Sequence, residues 1–206
     1  MQTSSPLGAS RFLPESRSLR ALRNAVDGCR GCDLYRKATQ AVFGRGKARA
    51  SVVLVGEQPG DREDRVGLPF VGPAGRVLDG ALADAGLARD EVYVTNAVKH
   101  FKFEERGKRR IHKKPRVSET VACHPWLAAE LAAIRPRVVV ALGATARDSL
   151  ARESRGQMPP AGTDPKVIAT LHPSAVLRAP DGASRARLYG KLVEDLRKAR
   201  VAARRA

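Results

Sequence analysis

Between Glu105 and Pro115 the chain reads ERGKRRIHKKP, six cationic side chains around a single histidine, His112. A histidine in such a run can grip a phosphate as one more donor. As neutral imidazole it can instead offer a lone pair to an electrophilic carbon. The neighbouring cations Arg106, Lys108, Arg109, Arg110, Lys113 and Lys114 disfavour a further positive charge, which is expected to bias the ring toward its neutral form. A second chemical cluster, GEQPGDRED (56–64), carries Glu57, Asp61, Glu63 and Asp64. It lacks the Gly-Lys-Ser/Thr of a P-loop and the spacing of a dinucleotide fingerprint, so a nucleotide cofactor is not expected. A carboxylate here can stabilise a developing cation or accept a proton from an imidazole. Two of Asp61, Glu63 and Asp64 read as solvated loop charges.

Other residues offer recognition rather than reaction. Phe70, in GLPFVGPAG, can stack on a base or anchor its loop in the core. Asn96, in TNAVK, has an amide that can read a pyrimidine edge with one donor and one acceptor, or simply form a turn. His172 precedes Pro173, which biases it to an extended backbone. Ser174, Val176, Leu177 and Arg178 follow on an expected loop, a phosphate contact beside an apolar wedge, although packing explains the two aliphatics equally well. Cys29-x-x-Cys32 is a weak signal because zinc, iron–sulfur and redox sites share that spacing. Cys123 is the remaining thiol, and a four-ligand site would need a histidine, with Cys29, Cys32, His100 and Cys123 as the set expected. Three unrelated buried thiols are the alternative.

Four β-branched runs, SVVLVGE (51–57), EVYVTNAVK (91–99), RVVVALG (137–143) and KVIATLHPS (166–174), must position these groups. Segments with helical periodicity separate them, and a short helix follows Glu15. Near-continuous apolar strands alternating with helices predict βαβ units: an α/β fold, a three-layer α/β/α sandwich on a short central parallel sheet. One domain over 1–206 is expected, with a loose N-terminus (about 1–15) and a basic C-terminal tail (about 197–206). In such sheets ligands bind at the carboxyl ends of the strands, a rule that collects Glu57, Asn96, Gly143 and His172.

Thirty-eight Lys and Arg against 21 Asp and Glu give a net charge of +17. That imbalance points to a polyanion, nucleic acid first. The chain has no run of about 20 apolar residues, and MQTSSPLGASRFLPESRS has no signal-peptide core, so a cytoplasmic protein without a membrane partner is expected. Nothing demands more than a monomer.

GEQPGDREDRVGLPFVGPAG, TNAVKHF, the cysteines and LHPSAVLR, in this order over roughly residues 25 to 195, resemble the iron–sulfur uracil-DNA glycosylases. The resemblance implies the uracil-glycosylase fold, uracil-containing DNA as partner, taken here as single-stranded, and a [4Fe-4S] cluster normally held by four cysteines. Three departures narrow it. Gln58 stands where the common motif has a small residue, His100 where the family has a cluster cysteine, and KRRIH (108–112) is inserted. These look like the UdgX-type branch, whose members become covalently joined to DNA. That likeness implies that His112 bonds the sugar and Glu57 acts beside it. Phe70 would stack on uracil, Asn96 and His172 would hydrogen-bond it with Gln58 and Asp61 alongside, and Lys108, Arg109, Arg110, Lys113, Ser174 and Arg178 would hold DNA.

Overall fold

The structure is a computed structural model describing residues 8–153 and 165–205. Each of the four apolar runs forms a strand: β2 (Val52–Gly56), β3 (Tyr93–Asn96), β6 (Val138–Leu142) and β7 (Lys166–Thr170). They pair in parallel in the order β3-β2-β6-β7, and a two-residue strand β1 (Arg45–Gly46) adds an antiparallel edge against β3. The sheet is therefore mostly, not wholly, parallel.

Parallel pairing requires crossovers, and the strand period of two sends alternate residues to opposite faces. Leu54, Val94 and Val140 pack against α3 (Pro73–Ala85) and α7 (Gly182–Arg205). Val53, Val55, Val139 and Ala141 meet α4 (Val117–Ile134) and α5 (Ala144–Glu153) on the other face. The three layers α/β/α follow. A third apolar cluster joins α1 (Leu19–Ala25) to α4 and holds Cys29, Cys123, Phe43, Val98 and Trp126.

Five segments differ from the sequence expectation. The basic stretch is a β-hairpin, not a loop: β4 (Phe103–Arg106) pairs antiparallel with β5 (Arg109–His112) through a turn at Gly107, φ 57°. FEER and RRIH carry no apolar alternation, so their strands were invisible to periodicity. Asp61–Val66 is a short helix, α2, and Ser174–Leu177 another, α6. Ala9–Phe12, in the stretch expected to be loose, forms a 3-10 turn whose Ala9 is buried against Gly31 and α4; residues 1–7 lie outside the described residues. The expected basic tail is the docked end of α7 as far as Arg205. Ala199 and Ala203 are buried there, and Arg137 Nη1 donates to the Ala203 carbonyl at 3.1 Å. Removing it would strip core contacts along with charge. Among the described residues no helix is long and apolar enough to cross a membrane.

Candidate active site

The crossovers leaving β2 and β6 run in opposite directions across the sheet, so their carboxyl ends frame a crevice, the place where such sheets bind ligands. Glu57 leaves β2 at that point. Its Oε2 accepts a short hydrogen bond from Thr145 Oγ1, in the first turn of α5, and its carbonyl accepts from Val98 N at 3.0 Å. From the end of β5 the His112 ring reaches back over the crevice, Nε2 lying 3.6 Å from Glu57 Oε1. That is near enough to feel the charge and too long for a formed hydrogen bond. The His112 side chain is 50 % exposed and Glu57 22 %. Partial burial lowers the His112 pKa, the Glu57 carboxylate opposes this, and Arg178 adds to the lowering. The cause differs from the one expected: burial and Arg178 lower the His112 pKa, while Arg110 and Lys113 of its own run are paired with carboxylates.

Beside this pair Gly56, Phe70 and Asn96 converge on a close-packed junction, here termed the slot. Its floor is Gly56, where a Cβ would collide with the Phe70 ring and Asn96 Oδ1. Phe70 is 7 % exposed and holds the left-handed φ of 55°, an arrangement a non-glycine residue keeps only when its surroundings over-determine it. Gly75 allows that bend, since any side chain there would strike the Phe70 carbonyl. Asn96 is 2 % exposed, and its Oδ1 is buried with no partner. A buried acceptor left unbonded is costly, so the slot suits a ligand that brings an N–H.

The His172 ring lies 5.9 Å from that of Phe70. Its Nδ1 accepts from Ser174 N at 3.2 Å and sits 2.8 Å from Ser174 Oγ, which in turn accepts from Arg178 Nη1 at 2.8 Å. A backbone N–H can only donate, so Nδ1 is the acceptor and the proton of the neutral ring stands on Nε2. Burial first, then Arg178 and His112, push the His172 pKa down to about 4. The crevice thus presents an uncharged donor, an orphaned amide acceptor, an aromatic ring, a carboxylate and a neutral imidazole.

Several expected contacts serve the hairpin instead. Gln58 is buried, and its amide spans the hairpin base: Nε2 donates to the carbonyls of Lys102 (3.2 Å) and Lys113 (3.0 Å), while Oε1 accepts from Lys102 N (3.1 Å). Its amide is thus taken up as a brace between Lys102 and Lys113. Arg110, expected at a phosphate, likewise has its guanidinium engaged within the protein. It is drawn back onto Asp61 and Asp64 and stacks over Phe101 and Phe103, 5.5 and 4.9 Å from their centroids. Asp61, expected at the base, is taken up by Arg110 and Arg65. Burial would raise its pKa, but the hydrogen bonds from those two guanidinium groups hold it below the ordinary value.

Glu63 and Asp64, expected among the solvated acids, are buried: Glu63 accepts from Gly72 N, and Asp64 from Thr39 and Arg110. Lys113 pairs with Glu104 at 2.8 Å. Lys108 and Arg109 stand exposed at the hairpin tip, and Arg178 is exposed at the crevice mouth. Thr145 was missed in the sequence because a threonine opening a helix reads as local capping. Its partner Glu57 lies 88 residues away.

Cys29 and Cys123 are buried and Cys32 is half-buried in the third cluster. Cys123 Sγ already accepts from Lys99 N at 3.2 Å. Burial pushes its thiol up to about 12; Lys99 opposes, and Cys32 and Cys29 lie near enough to raise it further. Burial holds His100 neutral, near 4, and the charges it feels include Asp27 and Arg30, which flank Cys29 in the sequence. Trp126, one turn after Cys123 on α4, has a buried Nε1 with no partner. Among the described residues no three His, Cys, Asp or Glu side chains are gathered tightly enough to hold a single metal ion. Three thiols, a neutral imidazole and the unspent Trp126 N–H in apolar surroundings do suit a larger, sulfur-bridged iron group by donor type.

A profile of the uracil DNA glycosylase superfamily matches residues 43–197. Similar proteins include the type-4 uracil-DNA glycosylase of Thermotoga maritima, 37 % identical over 160 residues, 74 % of this chain and 80 % of that protein. The type-4 uracil-DNA glycosylase of Archaeoglobus fulgidus is also 37 % identical, over 79 % of this chain and 85 % of its own. That of Saccharolobus solfataricus is 30 % identical over 90 % and 86 %. The match spans β2 to α7 and so takes in the crevice with Glu57, Phe70, Asn96, His112 and His172: this chain belongs to the uracil DNA glycosylase superfamily.

Proposed function

We propose that this protein excises uracil from DNA and becomes joined to the resulting deoxyribose through His112. The carrying observation is the His112 Nε2 to Glu57 Oε1 distance of 3.6 Å, at the mouth of a slot whose Asn96 acceptor is unbonded. Uracil stacks on Phe70, with its N3–H on Asn96 Oδ1 and a carbonyl on the His172 Nε2 proton. As the N1–C1′ bond breaks, its electron pair leaves with uracil, whose oxyanion His172 stabilises without itself carrying charge. The sugar becomes oxocarbenium-like beside the Glu57 carboxylate, which Thr145 holds in place.

An ordinary glycosylase lets water take the cation. Here an imidazole nitrogen held by the hairpin reaches C1′ first, because a tethered nucleophile has a high effective concentration. A C1′–N bond forms, and the proton on the other ring nitrogen passes to Glu57 or to solvent. The adduct has no good leaving group, so one turnover ends in a cross-link. Cys29, Cys32, His100 and Cys123 would hold a [4Fe-4S] cluster, which when bound ties the Cys29 segment to α4 and the chain leaving β3.

A denaturing gel with a uracil-containing single-stranded oligonucleotide tests both steps. The wild-type protein gives a slow-migrating, heat-stable band, while His112→Ala releases uracil without that band. A band from His112→Ala rejects the assigned nucleophile. Uracil release over many turnovers with no band from the wild type would make this a conventional glycosylase with His112 as a phosphate contact.

A further inference from the structure

The hydrogen bonds around Lys99 are complete and bear on Asn96. Both Lys99 and Glu130 have 0 % side-chain exposure. The three protons of the Lys99 ammonium go to Thr95 Oγ1 (2.8 Å), the Asn96 carbonyl (2.8 Å) and Glu130 Oε2 by a short bond. Glu130 Oε1 accepts from Tyr93 OH at 2.8 Å and Gly44 N at 3.0 Å, and Oε2 also accepts from Thr95 Oγ1 at 2.9 Å. A buried ion pair is weak evidence for stability, since apolar residues of similar volume often do as well. What an apolar pair could not do is fix the peptide that follows Asn96.

That peptide sets where the carboxamide points. Past Asn96 the chain is pinned by Ala97 N to the Gly56 carbonyl (2.9 Å) and Val98 N to the Glu57 carbonyl (3.0 Å). The ammonium, curling back three residues, fixes the Asn96 carbonyl. Asn96 Oδ1 is thereby held, unbonded, against Gly56 and the Phe70 ring. Among the described residues Lys99 reaches Asn96 through that main-chain carbonyl, and neither Lys99 nor Glu130 hydrogen-bonds the Asn96 carboxamide, His172 or the Glu57 carboxylate.

We infer that Lys99, braced by Glu130, is the positioning residue for Asn96, and so sets how well the slot reads a uracil edge. The activity part of this inference rests on the uracil-excision reading; the structural part does not.

A double-mutant cycle on the holoprotein tests it, with Lys99→Met/Glu130→Gln, which removes both charges together, made in the Asn96 and Asn96→Ala backgrounds. A misplacement of the order of 1 Å lowers single-turnover uracil release about 10²-fold in the Asn96 background. In the Asn96→Ala background the same pair costs less than about threefold, because the group it positions is already gone. A general loosening of the fold would cost the same factor in both. Glu130→Gln alone, which keeps the ammonium on Asn96, costs less than the pair and guards against a pair that does not fold. If it costs as much, the role is not that of Lys99. Crystal structures of the wild type and the variants provide the second readout: the Asn96 carboxamide leaves its place against Gly56 and Phe70 when Lys99 is lost. An unmoved carboxamide, or equal losses in both backgrounds, overturns the inference. A wild-type protein that releases no uracil refutes the excision reading and leaves the crystal comparison to decide.

Discussion

Replacing Gln58 by Ala removes the brace at the base of the β4–β5 hairpin while touching neither His112 nor Glu57. Three hydrogen bonds of 3.0 to 3.2 Å disappear. Each contributes about 1 kcal/mol net, giving an upper figure of about 3 kcal/mol against hairpin opening. Lys102 and Lys113 are only half-buried, so water takes over part of what is lost. About 1.5 to 2 kcal/mol is then the expected loss, or 10- to 30-fold more frequent opening, at tenfold per 1.4 kcal/mol.

Arg110, through Asp61, Asp64 and the two phenylalanine rings, still holds the outer part of the hairpin, so the opening stays local. Hydrogen exchange reads it directly. The Lys113 amide, bonded to the Lys102 carbonyl at 3.0 Å, should exchange 10- to 30-fold faster, whereas Leu54 in β2 keeps its wild-type rate. Because His112 ends β5, water competes for the sugar cation chiefly while the hairpin is open, so the share of excised sites left without a cross-link should rise by a similar factor while uracil release changes little. Unaltered exchange at Lys113 with no rise in unlinked abasic product would refute the brace and the assignment of hairpin position as what lets imidazole outrun water.

Three further outcomes follow from the site. His172 binds a proton only near pH 4 when folded but near 6.5 when unfolded, so between those values the unfolded chain holds more protons and stability rises with pH. The urea midpoint should fall as pH drops from 6.5 toward 4, and His172→Gln should flatten that part of the profile; an equal slope in the variant assigns it to other groups. Lys108→Ala/Arg109→Ala at the exposed hairpin tip should reduce the slope of log affinity against log salt by about 0.7 per lost phosphate contact on single-stranded DNA, and an unchanged slope removes the tip from the interface. Anaerobically purified protein should be brown and carry about four irons per chain, and Cys123→Ala should lose them; stoichiometric zinc without sulfide would reject the cluster.

The sequence by itself determined the layers and the edge of the sheet that matters. VVLVG, VVVAL and their partners are too continuously apolar to face water on either side, which dictates a sheet covered by helices. The carboxyl-end rule alone picks out Glu57, Asn96, Gly143 and His172. Periodicity was silent where charge and backbone do the folding, as in FEER and RRIH. There a strand exists because Arg110 finds carboxylates 46 and 49 residues earlier in the chain and Gln58 finds two backbone carbonyls.

Only the tertiary structure decided which cations are tied inward and which face outward, for a guanidinium is drawn to whichever carboxylate the fold brings within reach. It alone gave Thr145 to Glu57, turned the basic tail into the end of a helix, and folded Lys99 under Asn96. Residue type fixes what a group can do. Partner and direction arise when distant segments meet, and a pattern of spacing along one chain does not encode them.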